Sequence, residues 1–380
     1  MDAFAAHAHL IGRPDSRLAL NTPALIVDLD ALERNIAAMA ALAARHGVKL
    51  RPHAKTHKCV EIARRQLEAG AIGICCAKVG EAEALADGGL TAPLHITSPV
   101  VAAPAVRRMI ALNARIAGLT VVVDHPDNVE SLASAAGRER PLGVVIDIDP
   151  GIHRTGVTSP QAAVELVRAI VRHPALSYAG VQFYCGTQQH IADFSARRAA
   201  LEERTSYLGT VNAALAEAGH RPAIVTGAGT GSHAIDAELG TFTELQVGSY
   251  VFMDRQYRDC DLSGDGRQPF ETALMVDARV VSANLAQLAT IDAGLKAFAT
   301  EAGPPPILRG AAAGSTYRFF GDEHGAIVAP PGAMAPRLDD LVTLATPHCD
   351  PTVNLYDAYH VVRGDTLVDI WRIDARGRSW

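Results

Sequence analysis

Several features that define other classes of protein are missing from this sequence. No apolar run approaches the roughly 20 residues that span a bilayer, and the N-terminus MDAFAAHAHLIGRPDSR lacks the charged and then apolar pattern of a secretory signal. The six cysteines show no CxxC spacing, which argues against a zinc finger or a disulfide framework. A net charge of −6 gives no electrostatic reason to expect nucleic acid. We therefore expect a cytoplasmic protein with reduced thiols and without membrane or nucleic-acid partners.

What the sequence does contain is an alternation of apolar segments and helical patterns, beginning with ALIVDLD (24–30). About eight such βα units follow one another, which favours a (β/α)8 TIM-type barrel over an open doubly wound sheet. After about residue 260 the apolar pattern changes to period two, which predicts a second, mostly β domain. We place the barrel at residues 22–262 and the β domain at 263–380, together with the N-terminal segment 1–21.

The segment RPHAKTHK (51–58) carries more charge than a turn between a strand and a helix needs. Arg51 and Lys58 flank Lys55, and positive neighbours, together with partial burial, destabilise an ammonium group. Lys55 is therefore predicted to be a reactive amine that can attack a carbonyl group. A basic loop exposed to solvent is the alternative that this segment leaves open.

A second motif, TGAGTGSH (226–233), follows the apolar run PAIV. Glycines allow backbone N–H groups to approach an anion, and the hydroxyl groups of Thr230 and Ser232 add donors. An ordinary glycine-rich turn is equally compatible with the segment. A reactive lysine and a phosphate-binding loop on one face of a barrel suggest pyridoxal phosphate, with Thr226, Gly229 and Thr230 as contacts.

Arg154 lies in DIDPGIHRTG (147–156), directly after a predicted strand. It could form a surface ion pair with Asp147 or Asp149, or it could hold the phenolate oxygen of the cofactor. Lys55 and Tyr184 also follow predicted strands, and the carboxyl ends of barrel strands meet on the catalytic face. We therefore expect these side chains on one face of the barrel.

The segment PHCDPTVNLYD (347–357) lies in the predicted β domain. His348 and Asp350 are two residues apart, so an extended backbone places both on one face and Cys349 on the other. An imidazole and a carboxylate in that arrangement can ligate a divalent cation. Two alternatives remain open: a loop histidine without a metal, and the rival cluster GDEHG (321–325), which is itself typical of a polar hairpin turn.

Together, these segments resemble the fold-type III pyridoxal phosphate enzymes, and within the alanine racemase superfamily they are most similar to the D-threonine aldolase and D-serine dehydratase group. RPHAKTHK is similar to the motif of the cofactor lysine, which implies that role for Lys55. GIHRTG resembles the segment whose arginine contacts the cofactor phenolate, which implies that role for Arg154. Where the racemases have an arginine against the pyridine nitrogen, this chain has Gln246, so Tyr184 or a water is the expected substitute. The resemblance also implies a homodimer and contacts on the phosphate side from Gly248, Ser249 and Tyr250.

The His-x-Asp spacing implies the aldolase branch, because the related dehydratases carry His-x-Cys. The implied reaction is retro-aldol cleavage of a D-3-hydroxy amino acid, such as D-threonine or D-allo-threonine, to glycine and an aldehyde. Its implied catalytic residues are Lys55, His348, Asp350 and a base such as His190, with Mn²⁺ or Mg²⁺ as the metal. The alternatives are a dehydratase that acts on D-serine or D-3-hydroxyaspartate, an amino acid racemase, and a non-catalytic protein that binds pyridoxal phosphate.

Overall fold

The computed structural model describes residues 3–380, so Met1 and Asp2 of the predicted N-terminal segment 1–21 lie outside the described residues. The chain divides into two compact units. The first, here called the barrel unit, comprises Ala37–Gly248, Cys260–Arg267 and Gly377–Trp380. The second, here called the β unit, comprises the chain up to Ile36, Ser249–Asp259 and Gln268–Arg376. Within residues 3–380, no helix is both long and apolar enough to cross a bilayer.

Strands and helices alternate in the barrel unit, whereas strands dominate the β unit. The strands are β1 Ala24–Asp28, β2 Lys49–Leu50, β3 Ile74–Cys76, β4 Leu94–Ile96, β5 Thr120–Val123, β6 Leu142–Ile148, β7 Leu176–Phe183, β8 Ile224–Gly227, β9 Glu244–Leu245, β10 Leu274–Leu285, β11 Leu288–Ile291, β12 Ile307–Arg309, β13 Thr316–Phe319, β14 Gly325–Val328, β15 Leu341–Ala345, β16 Ala358–Arg363 and β17 Thr366–Arg372. The helices are α1 Ala3–His7, α2 Leu29–His46, α3 Val60–Glu68, α4 Val79–Asp87, α5 Ala103–Arg115, α6 Pro126–Ala135, α7 Pro160–Val171, α8 Phe194–Glu217, α9 His233–Leu239, α10 Arg255–Arg258 and α11 Cys349–Val353.

Eight parallel strands form the sheet of the barrel unit, in the order β2-β9-β8-β7-β6-β5-β4-β3. The two edges of this sheet are joined by a parallel bridge between His53 and Cys75. The N–H of Ala54 also donates to the carbonyl oxygen of Cys75 at 2.8 Å. The sheet therefore curls round on itself, with helices α3–α9 connecting successive strands, and the predicted TIM-type barrel is confirmed.

The strand β1 belongs to the β unit and not to the barrel. It pairs antiparallel with β10 and parallel with β16, and Ile26 lies opposite both Met275 and His360. The assignment of ALIVDLD as the first barrel strand is therefore wrong. Its place is taken by β9, Glu244–Leu245, which pairs with both β2 and β8 but is too short to give a periodic signal.

The sheet of the β unit has nine strands, which confirms the predicted mostly β architecture. Its main path runs β13-β14-β11-β10-β1-β16-β17, and β15 pairs with both β10 and β12. The cluster GDEHG (321–325) connects the antiparallel strands β13 and β14, and its Glu323 forms an ion pair with Lys296. This cluster is thus the polar hairpin turn that its composition suggests.

All six cysteines are free thiols with buried side chains. Cys75 and Cys76 lie in β3 and are fully buried. Burial raises the pKa of both thiols well above the ordinary value, because a thiolate loses its solvation inside the protein. These cysteines therefore act as small apolar side chains of the barrel wall.

Candidate active site

Lys55 lies just beyond the carboxyl end of β2, in the barrel unit. Its side chain is half-buried, and its backbone N–H donates to Nδ1 of His53 at 3.3 Å. The Nε2 atom of His53 lies 3.1 Å from Oγ1 of Thr97. Because His53 also bridges to Cys75, the lysine projects from a fixed part of the barrel edge, at the end where such barrels place their catalytic groups.

The two cations that flank Lys55 have counter-charges of their own. The guanidinium of Arg51 donates to both carboxylate oxygens of Glu244, at 2.7 and 3.0 Å. The Nζ atom of Lys58 lies 2.5 Å from Oε1 of Glu81. All four side chains are buried, so these pairs are screened little by solvent. Arg51 and Lys58 are therefore paired with carboxylates and are not isolated charges beside Lys55.

The pair between Arg51 and Glu244 gives a prediction about stability. Glu244→Gln is expected to lower the free energy of unfolding by about 3–5 kcal/mol, because it leaves a buried guanidinium without a counter-charge. Glu238→Gln is the matched control, since that carboxylate is 58% exposed and pairs with Arg198; because solvent screens this pair, its loss of stability should be much smaller than that of Glu244→Gln. Urea denaturation measures both. Equal, small losses in the two variants would contradict the prediction.

Arg154 follows β6 in a turn that Asp149 organises. The Oδ1 atom of Asp149 accepts the N–H groups of Gly151, Ile152 and His153 at 2.9, 2.9 and 3.0 Å. The positive charge of Arg154 acts to lower the pKa of the neighbouring Asp147 carboxyl, and the Cζ atom of Arg154 lies 5.7 Å from the centroid of the Tyr184 ring. Arg154 and Tyr184 line one small cavity, so the structure brings these two predicted residues together.

The glycine-rich loop after β8 satisfies much of its own hydrogen bonding. The N–H of Gly229 donates to Oγ of Ser232 at 3.1 Å. The N–H groups of Gly231 and Ser232 donate to Oε1 of Gln189, at 2.9 and 3.2 Å. Gln189 belongs to a short 3₁₀ turn that ends at the exposed His190. The hydroxyl of Ser232 and these amide groups therefore bond to the protein itself.

A buried polar network lies at the carboxyl ends of β7 and β8. The Nε2 atom of Gln246 donates to Oε1 of Gln182 at 3.1 Å and to Oγ1 of Thr226 at 2.9 Å. Gln182 also donates to Asp147 at 3.0 Å, and burial raises the pKa of that carboxyl to about 6. Burial lowers the pKa of His95, which lies 3.1 Å from the same Gln182 oxygen, to about 4. Both amide hydrogens of Gln246 are thus used, and its remaining polar atom is an acceptor.

The residues predicted on the phosphate side are divided between the two units. Gly248 ends a segment of the barrel unit, where a Cβ atom would meet Oγ1 of Thr56 at 2.7 Å. That hydroxyl is buried and has no hydrogen-bond partner among the described residues. Ser249 and Tyr250 open a 3₁₀ turn of the β unit, and the ring of Tyr250 packs on that of Phe270 with centroids 5.6 Å apart.

Left-handed backbone conformations occur in three of the motifs that the sequence singles out. The residues are Lys58 with a φ of 52°, His153 with 57° and Ala228 with 64°. Non-glycine residues adopt this conformation at a cost in energy, and such residues cluster at functional sites. The same conformation occurs outside these motifs at Asp15, Met253 and Asp339.

The segment with the predicted metal ligands begins a short helix. His348 is the N-cap residue of α11, with φ −142° and ψ 126°, and Cys349 and Asp350 form its first turn. The prediction that residues 348–350 form an extended segment is therefore wrong, and the argument from alternating faces does not apply. Cys349 is nevertheless fully buried, with Sγ 3.6 Å from Oγ1 of Thr346, whereas His348 and Asp350 are half-buried.

Two carboxylates of the β unit support this helix start. The N–H of Cys349 donates to the fully buried Asp254 at 3.0 Å. The Nδ1 atom of His348 lies 2.6 Å from Oε1 of Glu301. This contact makes Nε2 the ring nitrogen directed to other partners, as in many histidines that ligate metals. Within residues 3–380, no group of three or more histidine, cysteine or carboxylate side chains forms a cluster that could hold a metal.

Several residues of these networks are absent from the sequence-based set, and five of them are carboxylate or amide side chains that hold a neighbouring loop or cation. Four of these five have no local pattern that reveals the role, because each acts on a partner that is remote in sequence. The fifth, Asp254, lies close in sequence to Gly248, Ser249 and Tyr250, which the sequence places near the cofactor. The others can be found only from the fold: Glu81, Gln189, Glu244 and Glu301.

Two known protein families match this chain, one over most of the barrel unit and one over most of the β unit. Residues 27–256 match the family described as "Alanine racemase, N-terminal domain". Residues 273–362 match the family described as "Putative serine dehydratase domain". The first of these matches covers more than half of the chain and spans the strands and loops that carry Lys55, Arg154 and the glycine-rich loop.

Individual relatives and solved structures are similar to this chain over nearly its whole length. D-threonine aldolase of Arthrobacter sp. is 40% identical over 97% of this chain and 96% of its own length. The 3-hydroxy-D-aspartate aldolase of Paracoccus denitrificans (strain Pd 1222) is 37% identical over 95% of this chain and 93% of its own. The crystal structure of D-threonine aldolase from Filomicrobium marinum superposes with a TM-score of 0.91 at 37% identity, covering 96% of this chain and 97% of that one. The chain therefore belongs to the alanine racemase N-terminal domain family, in the branch that contains these aldolases.

Proposed function

We propose that this enzyme cleaves the Cα–Cβ bond of D-3-hydroxy amino acids, with D-threonine or D-allo-threonine as substrate, pyridoxal phosphate as cofactor and a divalent cation as activator. The observation that carries the proposal is the 40% identity to D-threonine aldolase over nearly the full length of both chains. In this reaction the β-hydroxyl loses its proton, the C–O bond becomes a carbonyl, and the Cα carbanion is protonated to give glycine.

The residues at the carboxyl ends of the barrel strands fit pyridoxal phosphate. Lys55 offers the amine for covalent attachment, and Arg154 lines a small cavity together with Tyr184 and Asp147. The buried hydroxyl of Thr56 has no hydrogen-bond partner among the described residues, as expected for a group that faces a ligand oxygen. When bound, pyridoxal phosphate supplies an electron sink for the negative charge at Cα. The proposed contacts to its phosphate are Thr226, Thr230, Gly248, Ser249 and Tyr250, whereas the N–H of Gly229, which the sequence also predicts as a contact, donates to Ser232 instead.

The donor set of the β unit fits a hard or borderline cation. His348 offers Nε2, because Nδ1 bonds to Glu301, and Asp350 offers carboxylate oxygen. Nitrogen and oxygen ligands of this kind suit Mn²⁺ or Mg²⁺. When bound, such a cation acidifies the β-hydroxyl. His190, exposed at the end of its 3₁₀ turn, is the proposed base that accepts the hydroxyl proton.

A dehydratase is the second candidate. The match of residues 273–362 to the putative serine dehydratase domain favours it, and D-threo-3-hydroxyaspartate dehydratase of Delftia sp. (strain HT23) is 28% identical over 94% of this chain. A dehydratase would expel the β-hydroxyl and release ammonia and a keto acid. The presence of Asp350 and the burial of Cys349 support the aldolase over this alternative.

A product assay decides between the two reactions. Purified protein with added pyridoxal phosphate and Mn²⁺ is expected to convert D-threonine to glycine and acetaldehyde in equal amounts, with no ammonia. D-3-hydroxyaspartate, D-serine and L-threonine are tested in parallel, with aldehyde, ammonia and the enantiomeric composition measured separately. Ammonia without aldehyde would establish the dehydratase, and a racemised substrate without either product would establish a racemase.

A further inference from the structure

The side-chain amide of Gln189 joins two loops of the candidate site. Its Oε1 accepts the N–H groups of Gly231 and Ser232 at 2.9 and 3.2 Å. Its Nε2 donates to Oγ of Ser232 at 2.9 Å and to the carbonyl oxygen of Cys185 at 3.2 Å. Gln189 is fully buried, and these four contacts use both lone pairs and both hydrogens of the amide. A buried polar network that is completely satisfied fixes its members in one arrangement.

Gln189 also explains two glycines of the loop, Gly229 through its side chain and Gly231 through its backbone. A Cβ atom on Gly229 would meet Oε1 of Gln189 at 2.5 Å, and one on Gly231 would meet the carbonyl oxygen of Gln189 at 2.0 Å. Neither glycine has a φ in the left-handed region, where only Ala228 of this loop lies. These glycines are therefore required for space against Gln189. The G-x-G spacing, interpreted from sequence as an approach to an anion, reflects contact between two parts of the protein.

In the sequence, Gln189 lies between residues that are proposed to bind the cofactor or to take part in the reaction. Its segment carries Tyr184 on one side and His190 on the other, and Arg154 lies near the Tyr184 ring. Through the amide, this segment and the glycine-rich loop are joined by hydrogen bonds at the carboxyl end of the barrel. A displacement of the loop would move Thr230, whose carbonyl oxygen lies 2.7 Å from Nδ1 of His233.

We infer that Gln189 is a positioning residue that holds the glycine-rich loop in the form that receives the phosphate of the cofactor. The inference rests on the proposed function, because the cofactor is part of that proposal. Gln189 itself makes no contact with phosphate, since its amide is fully used by the protein. Because the side chain bonds to the glycine-rich loop, we expect its effect on the phosphate group of the ligand and not on the pyridine ring.

Three variants test this role. Gln189→Met keeps the volume of the side chain but removes all four hydrogen bonds, and Gln189→Ala removes the volume as well. Gln66→Ala is the control, because Gln66 is equally buried and lies in the same unit, on α3. Circular dichroism and thermal unfolding establish that each variant folds. If the alanine variant at position 189 fails to fold, the methionine variant carries the test.

The measurement is the affinity of the cofactor-free protein for pyridoxal phosphate and for pyridoxal, which lacks the phosphate, by absorbance titration. Both Gln189 variants are expected to bind pyridoxal phosphate about tenfold more weakly than wild type. Their affinity for pyridoxal should be unchanged, and Gln66→Ala should alter neither affinity even where it lowers the melting temperature.

The outcomes separate the inference from the proposal beneath it. If wild type binds both ligands and the Gln189 variants bind pyridoxal phosphate equally well, the role of Gln189 is overturned. Equal losses for the two ligands would also overturn it, since the effect would not depend on phosphate. If wild type binds neither ligand, the proposed cofactor fails and the role of Gln189 fails with it.

Discussion

Lys55→Ala is expected to lower the rate of aldehyde release from D-threonine by about 10⁴-fold or more, because the variant would lose the amine proposed to attach the cofactor covalently. The structure supports Lys55 over its neighbours. Lys58 is buried and held by Glu81 at 2.5 Å, so its amine has a fixed partner. Lys55 projects from the end of β2 and is half-buried.

Lys49→Ala is the matched control for this experiment. Lys49 is exposed and is the first residue of β2, whereas Lys55 lies beyond the carboxyl end of that strand. Lys49 therefore lies towards the amino-terminal end of the barrel, opposite the end where such barrels place their catalytic groups. Its replacement should leave turnover unchanged. Borohydride reduction of the wild-type protein with pyridoxal phosphate, followed by peptide mapping, should label Lys55. A label on Lys58 or Lys78 would contradict the assignment.

The barrel could be predicted from sequence because its signal is local and repeated. Each buried strand is followed by an amphipathic helix, and that alternation leaves few architectures. The error at β1 has a different origin. A buried apolar strand gives the same pattern whatever sheet it joins, and only its pairing with residues 274–277 and 360–362 assigns it to the β unit. The two residues of β9 are too few for any periodic pattern.

The candidate site shows the same division between local and remote information. Lys55, Arg154 and Tyr184 could be placed because each follows a strand, and strand ends share one face of a barrel. Their partners could not be placed. Arg51 pairs with Glu244, 193 residues away in sequence, and a sequence that shows only a run of positive charge gives no sign of this neutralisation.

The glycine-rich loop and the metal segment show what the spacing of residues does not reveal. In the first, the spacing is explained by the packing of Gln189 against Gly229 and Gly231. In the second, the chain enters a helix at Cys349, so that alternation of faces, which holds for strands, no longer describes it. An argument from residue spacing holds only where the backbone has the conformation that the argument assumes.

Chelation is expected to abolish aldehyde release while pyridoxal phosphate stays bound, and Mn²⁺ should restore activity. The physical reason is that a β-hydroxyl is too weak an acid to lose its proton near neutral pH without a Lewis acid. His348→Ala and Asp350→Ala should each lower turnover by at least about 10²-fold, because each removes one of the two proposed protein ligands. Direct binding of Mn²⁺, followed by electron paramagnetic resonance, should weaken in parallel.

Variants of Glu301 and Cys349 test which side chains hold the cation. Glu301→Gln is expected to weaken Mn²⁺ binding by about 10-fold to 100-fold, since the carboxylate at 2.6 Å from Nδ1 of His348 fixes the ring and its tautomer. Glu323→Gln is its control, because Glu323 is a similarly exposed carboxylate of the β unit that pairs with Lys296. Cys349→Ala should keep most activity, because that thiol is fully buried beside Thr346. If Cys349→Ala were inactive and Asp350→Ala active, the ligand pair would be histidine and cysteine, and the protein would have to be reassigned as a dehydratase.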